Sequence, residues 1–136
     1  MVEPTLPPPP PGAGALVTAP QRLCASDALA ERGQAWVFDL RQWGEPVRGF
    51  VLRIEGRPVG YLNRCAHVPV EMDWQPGEFL DQDRRWIICS IHGAVYEPAD
   101  GRCVAGPCRG QRLKPLAVEE REGAIWWRPD ATLQPA

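Results

Sequence analysis

The chain has 136 residues, a formal net charge of −2 and an isoelectric point near 5.7. This length allows one domain with a modest core, and the charge provides no basic footprint for nucleic acid or for an anionic membrane surface. No apolar run approaches the roughly 20 residues of a membrane-spanning helix. We therefore expect neither nucleic acid nor a membrane as a partner.

The N-terminal twenty residues are rich in proline, with five in succession from Pro7 to Pro11. They lack the charged and apolar regions of a secretory signal, and they contain no twin arginine. Their composition predicts a flexible polyproline II arm over residues 1–20. We expect the protein to be cytoplasmic.

The rest of the chain alternates short apolar runs with turn signals. A short helix is predicted over residues 26–32, with Ser26 as its N-cap and Gly33 just after its C-terminus. Strands are predicted at residues 36–40, 47–54, 58–62, 86–88, 113–120 and 124–127, with Gly-containing hairpin connections at residues 55–57 and 122–123. This pattern indicates an all-β fold, a small sandwich or barrel, with a single domain over residues 21–128 and a C-terminal tail over 129–136.

Two short motifs carry the chemistry. Cys65 and His67 form Cys-x-His, and Cys89 and His92 form Cys-x-x-His-Gly, and these are the only two histidines of the chain. Two thiolates with two imidazoles bind a [2Fe–2S] cluster in which one iron is held by sulfur and the other by nitrogen. The same ligand types also suit structural zinc, although zinc sites usually pair like ligands within each arm. A zinc-binding interaction module stays as an alternative.

On these motifs the chain resembles the Rieske iron–sulfur family, in particular its small soluble ferredoxin-type members. The run Gly93–Pro98 is similar to the end of the family's second cluster loop, and Gly106-Pro107-Cys108 to its proline-containing third loop. The first loop departs from the common Cys-Pro-His-x-Gly, because Ala66 follows the cysteine and Pro69 stands where glycine is usual.

The resemblance implies stacked antiparallel sheets with a cluster-binding subdomain at one end, over about residues 63–112. It implies one Rieske-type [2Fe–2S] cluster. Cys65 and Cys89 would hold the buried iron, and His67 and His92 would hold the outer iron near the surface.

The function implied is one-electron transfer between a flavoprotein reductase and an oxygenase or another acceptor. The alternative is a non-catalytic small subunit of a larger oxidoreductase, similar to the small subunit of assimilatory nitrite reductase, with the large subunit as its partner. The sequence provides no substrate site of its own, so whether the protein counts as part of an enzyme depends on that partner.

Two family features are missing from the loops. Respiratory-complex members join their first two cluster loops by a disulfide, but the matching positions here are Val70 and Ile91. High-potential members place serine where this chain has Ala94, so one hydroxyl donor to the cluster is absent. We therefore predict a reduction potential of about −150 mV rather than about +300 mV.

Three of the five cysteines lie outside the ligand motifs: Cys24, Cys103 and Cys108. An odd number of such cysteines favours reduced thiols in a cytoplasm. Cys103 and Cys108 could pair, but their spacing does not establish the geometry that a disulfide needs. We expect all three to be packing residues.

Overall fold

The computed structural model describes residues 16–66, 68–90 and 93–136. Within these ranges the chain forms strands of two to ten residues and one 3-10 turn, which is Ser26–Ala28. The strands are β1 (Gln21–Ala25), β2 (Trp36–Gln42), β3 (Glu45–Ile54), β4 (Arg57–Leu62), β5 (Ile87–Ile88), β6 (Val95–Tyr96), β7 (Cys103–Ala105), β8 (Pro115–Leu116), β9 (Val118–Arg121), β10 (Ala124–Trp127) and β11 (Leu133–Pro135).

The largest sheet has five antiparallel strands in the order β11-β2-β3-β4-β8. Its two central hairpins close with two-residue turns, Trp43-Gly44 and Glu55-Gly56. In each turn both residues have positive φ, 50° and 81° in the first and 52° and 80° in the second. This is the type I′ geometry, whose twist matches that of the paired strands.

A three-stranded antiparallel sheet, β1-β10-β9, packs against the five-stranded one. Trp127 of β10 is buried with Leu40 and Leu133 of the larger sheet, and Ile125 is buried with Val51. Burying large apolar side chains between two sheets is the main source of stability in such folds. The all-β prediction is confirmed.

The third sheet, β5-β6-β7, is the smallest and lies in the segment predicted to carry the cluster. It joins the five-stranded sheet through a shared core in which Phe79 stacks on Phe50, with ring centroids 3.7 Å apart and planes within 9°. The Tyr61 hydroxyl of β4 also donates to the Pro98 carbonyl at 2.8 Å. The strands of the third sheet have only two or three residues each, so the shared core holds them in place.

The predicted helix over residues 26–32 was wrong beyond its first turn. The 3-10 turn covers only Ser26–Ala28, and Ala25 rather than Ser26 occupies the N-cap position. Farther along, the Arg32 amide donates to the Arg53 carbonyl of β3 at 2.8 Å, and Arg32, not Gly33, has the positive φ, 52°. Backbone bonds to a neighbouring strand replace the bonds that a helix would need.

The ends of the domain are tied together. Residues 133–135, predicted to lie in a tail, form β11 on the edge of the five-stranded sheet. Of the predicted arm, residues 1–15 lie outside the described part of the chain. The Val17 backbone bonds to the Gln134 side chain through both its amide, at 2.8 Å, and its carbonyl, at 2.9 Å.

Replacing Leu133 by alanine tests whether β11 belongs to the folded domain. Leu133 is buried at 2% exposure, so we expect Leu133→Ala to lower the free energy of unfolding by about 2 to 5 kcal/mol in urea titrations. Leu16→Ala is the matched control, because Leu16 is 58% exposed. Equal stability of the two variants would mean that β11 is an accessory tail.

Candidate metal centre

Two of the four predicted ligands lie in the core that joins the third sheet to the five-stranded one. Cys65 follows the end of β4 by three residues, and Cys89 follows β5 directly. Both side chains are buried, with 3% and 1% exposure, in the same apolar cluster. The other two predicted ligands, His67 and His92, lie outside the described residues, so of the predicted set the structure describes only the two cysteines, both in one core cluster.

The first loop is closed by Asn63, a buried polar side chain. Its Oδ1 accepts from the Met72 amide at 2.8 Å, and its Nδ2 donates to Asp73 at 2.9 Å. Within the loop the Cys65 amide donates to the Val70 carbonyl at 2.9 Å. Asn63 was not predicted from the sequence, where its only signal was a polar residue directly after a strand.

The second loop is a tight return after β5. The Cys89 amide donates to the Ala94 carbonyl at 2.9 Å, and the Gly93 amide donates to the Cys89 carbonyl at 3.0 Å. Ser90 Oγ donates to the Met72 carbonyl at 3.0 Å and so ties this loop to the first. The two cysteines are thereby positioned by backbone bonds within and between their loops.

The third loop packs directly on the second. Gly106 has φ of +94°, and a Cβ at this position would lie 2.8 Å from the Gly93 carbonyl oxygen and 2.9 Å from the Ala94 Cα. Only glycine meets both requirements, the backbone angle and the close approach.

Tyr96 of β6 provides a hydroxyl at the Cys65 sulfur. Its Oη lies 3.3 Å from Cys65 Sγ and accepts a hydrogen bond from the Ala66 amide at 2.9 Å. Burial raises the pKa of Tyr96 well above its ordinary value, and the hydrogen bond with Cys65 raises it further. The hydroxyl therefore keeps its proton and can donate it to a thiolate at Cys65.

Cys103 and Cys108 are joined by a disulfide, which corrects the expectation of reduced thiols. Their Cα atoms are 6.0 Å apart, within the range that disulfides span, because the chain turns back after β7. The packing role was correct, since both are buried. Cys24 is buried in a separate cluster with Val51 and Ile125.

The residues present fit the sulfur half of a [2Fe–2S] site. Cys65 and Cys89 are buried in one apolar cluster, and the hydroxyl of Tyr96 in that cluster lies 3.3 Å from Cys65 Sγ. Iron is held there by thiolates, and the Tyr96 hydroxyl is the kind of donor that stabilises sulfur ligands. The sequence shows Tyr96 only as a member of the run Gly93–Pro98. Its contact with Cys65 joins residues 31 positions apart, so the sequence does not predict it.

Three antiparallel sheets thus carry two buried cysteines on the loops that follow β4 and β5, and thiolates are the ligand type that holds iron in an iron–sulfur domain. A family model for the Rieske [2Fe-2S] domain matches residues 19–122. The chain belongs to the Rieske [2Fe-2S] domain family, and its cofactor is one Rieske-type [2Fe–2S] cluster.

Solved structures share this fold. The ferredoxin of carbazole 1,9a-dioxygenase from Nocardioides aromaticivorans IC177 superimposes with a TM-score of 0.65 and 21% identity, over 83% of this chain and 100% of that one. The terminal oxygenase from the same organism gives 0.63 and 23%, over 89% of this chain and 32% of that one. A reduced oxygenase–ferredoxin complex of carbazole 1,9a-dioxygenase gives 0.64 and 21%, over 83% of this chain and 29% of that one.

The chain thus spans about three tenths of the length of the matched chain in that complex. A search of curated proteins finds no match. Among the described residues no helix is both long and apolar enough to cross a membrane.

Removing the Tyr96 hydroxyl should lower the reduction potential. Tyr96→Phe keeps the buried ring but takes away the donor at Cys65, so the more negative, reduced state loses about 1 kcal/mol, or about 40 mV for one electron. Redox titration followed by EPR measures the shift. Tyr61→Phe is the control, because that buried hydroxyl bonds to the Pro98 carbonyl instead; equal potentials in the two variants would contradict the assignment.

A methyl group on Gly106 should disturb the second loop. Gly110 has a similar φ, +91°, but a Cβ added there would meet nothing within 4 Å, so Gly110→Ala carries only the conformational cost of about 1 to 2 kcal/mol. Gly106→Ala carries that cost and also forces the Gly93–Ala94 backbone to move. We expect a larger loss of unfolding free energy and a faster loss of cluster absorbance for Gly106→Ala than for Gly110→Ala; equal effects would mean that the third loop does not press on the second.

Proposed function

We propose that the protein is a one-electron carrier whose cluster is held by Cys65 and Cys89 at the buried iron and by His67 and His92 at the outer iron. The observation that carries this proposal is the burial of Cys65 and Cys89 in one cluster beside the Tyr96 hydroxyl, within a domain of the Rieske family. The cluster, when bound, takes up and releases one electron.

The chain's own residues supply the environment for that exchange. Met72, Phe79 and Leu80 are fully buried in the same core cluster as the two cysteines, which keeps water out of that core. The Tyr96 hydroxyl stabilises negative charge on Cys65, which favours the reduced state. Asn63 and the bonds between the loops hold both cysteines in place, so little reorganisation is needed when the charge changes.

The partners we propose are a flavoprotein reductase as donor and an oxygenase as acceptor, or another acceptor of similar kind. Support comes from the ferredoxin of carbazole 1,9a-dioxygenase, whose whole length this chain matches in fold, and from the oxygenase–ferredoxin complexes among the solved structures. A partner would dock over the end of the molecule that carries the three loops, through the small interface typical of transient redox encounters.

We also propose a cytoplasmic location. Cys24 remains a thiol, and iron binding requires thiolates at Cys65 and Cys89, which a reducing compartment preserves. The Cys103–Cys108 disulfide argues in the other direction unless it exchanges with cellular thiols. Alkylation of the protein in intact cells, followed by mass spectrometry, measures which state it has there.

Spectra and metal analysis of five variants test the proposal. Optical and EPR spectra of the purified protein, taken before and after dithionite, should show a [2Fe–2S] centre with the lowered average g-value of mixed sulfur and nitrogen ligation. Alanine at Cys65, His67, Cys89 or His92 should remove that signal along with iron and sulfide, because each deletes a ligand. Cys24→Ala is the control and should retain all three.

A colourless protein that holds one zinc would overturn the proposal in favour of a structural zinc site. Stable co-purification with a large oxidoreductase chain would instead indicate a subunit rather than a free carrier.

A further inference from the structure

The Cys103–Cys108 pair has a feature that a purely structural disulfide does not need. Each sulfur lies at hydrogen-bonding distance from an oxygen, Cys103 Sγ at 3.2 Å from the Ala105 carbonyl and Cys108 Sγ at 3.3 Å from Tyr96 Oη. Disulfide sulfurs carry no hydrogen to donate, whereas two thiols would donate one each. The fold therefore already places one acceptor oxygen beside each sulfur, as the two thiols of the reduced pair would require.

The pair is also in direct contact with the metal centre. Tyr96 Oη lies 3.3 Å from Cys108 Sγ and 3.3 Å from Cys65 Sγ. The loop between the two cysteines presses Gly106 onto the backbone of Gly93 and Ala94. A change at Cys108 thus reaches a predicted iron ligand through one hydroxyl group.

Access to the pair is through the surface part of the same loop. Both sulfurs are buried, but Gly106 and Pro107 between them are exposed. The turn that follows is closed by a long hydrogen bond, 3.4 Å from the Arg109 amide to the Gly106 carbonyl. A bond of ordinary length, 2.9 Å from the Gln111 amide to the Cys108 carbonyl, closes the same turn. Because Gly106 and Pro107 lie at the surface, local opening of this turn would give a small thiol access to the disulfide.

We propose that Cys103 and Cys108 form a thiol–disulfide exchange site for a small-molecule thiol, and that its state sets the potential of the metal centre through Tyr96. The thiolate of one small thiol attacks a sulfur of the pair, which breaks the Cys103–Cys108 bond, releases one protein thiol and forms a mixed disulfide. The thiolate of a second small thiol then attacks the mixed disulfide and releases the other protein thiol. Overall, two small thiols are oxidised to their disulfide, and the two electrons and two protons that they lose convert Cys103 and Cys108 to thiols. This site is distinct from the inter-loop disulfide of respiratory members, whose positions match 70 and 91 here.

The direction of the effect follows from the hydrogen bonds. In the disulfide state Tyr96 Oη accepts from the Ala66 amide. In the dithiol state the Cys108 S–H also donates to Tyr96 Oη, which polarises the hydroxyl and strengthens its own bond to Cys65 Sγ. A stronger donor at Cys65 stabilises the reduced centre, so the dithiol protein has the more positive potential.

The test uses the full chain with its cluster and reduced glutathione as the probe. Anaerobic incubation followed by alkylation and mass spectrometry should show two additional modified cysteines, at positions 103 and 108, with the cluster's visible absorbance retained. An EPR-monitored redox titration of the same samples should then show a positive shift relative to the disulfide form. The proposal is wrong if no concentration of reduced glutathione releases these two thiols, or if the thiols are released without a shift in the reduction potential.

Three variants separate the coupling from loosening of the loop. Cys103→Ala leaves the Cys108 thiol beside Tyr96. This variant should therefore have the more positive reduction potential of the dithiol protein from the start, and glutathione should not change it. Cys108→Ala removes that donor and should show neither the shift nor a response. Tyr96→Phe should still exchange thiols but lose the shift, and the control variant Cys24→Ala should behave like the wild type in every assay. If Cys103→Ala and Cys108→Ala have the same reduction potential, the Cys108 thiol has no effect on the centre.

This inference rests on the proposed cluster at Cys65, and the two can fail separately. If neither thiol state gives a [2Fe–2S] EPR signal, the proposed function falls, and the coupling falls with it. If the signal is present and the thiols exchange without a shift, only the coupling is wrong.

Discussion

The structure depends on one constraint: two cysteines from loops after different strands must be buried in a single apolar core. Cys65 reaches this core from β4 of the largest sheet, and Cys89 reaches it from β5 of the smallest. A sheet with strands of two or three residues is not stable alone. The stack of Phe79 on Phe50 therefore serves the site as much as the fold, because it attaches the strand before Cys89 to the sheet that delivers Cys65.

Elements specified by local sequence could be predicted, and elements specified by distant contacts could not. The hairpin at Glu55-Gly56 and the strands beside it follow from glycine placement and apolar pattern, and the structure has them. The segment after Ser26 had the signals of a helix, but its backbone groups bond to β3 instead. The strand β11 gave no signal, since its residues Leu-Gln-Pro become a strand only by pairing with β2.

The site divides in the same way. The two motif cysteines could be proposed as ligands from their spacing, because metal coordination restricts residue type and order, and that assignment stays a prediction. The hydroxyl of Tyr96 could not, because its bond to Cys65 spans 31 residues and depends on how β6 faces the first loop. The Cys103–Cys108 bond is separated by only five residues, but whether such a pair closes depends on the turn between them, which spacing alone does not specify.

Tyr96 supplies a hydroxyl that the predicted potential did not take into account. That low potential, which stays a prediction, counted the serine hydroxyl missing at position 94, but not a hydroxyl arriving from β6 two residues later. Tyr96 Oη lies 3.3 Å from Cys65 Sγ, where it can donate to a thiolate. One donor is lost and another is present, so the potential depends on how strongly Tyr96 donates. That strength depends on the other groups in contact with its oxygen, the Ala66 amide and the Cys108 sulfur. A single buried hydroxyl therefore couples the backbone geometry of the first loop and the thiol state of Cys108 to the reduction potential of the centre.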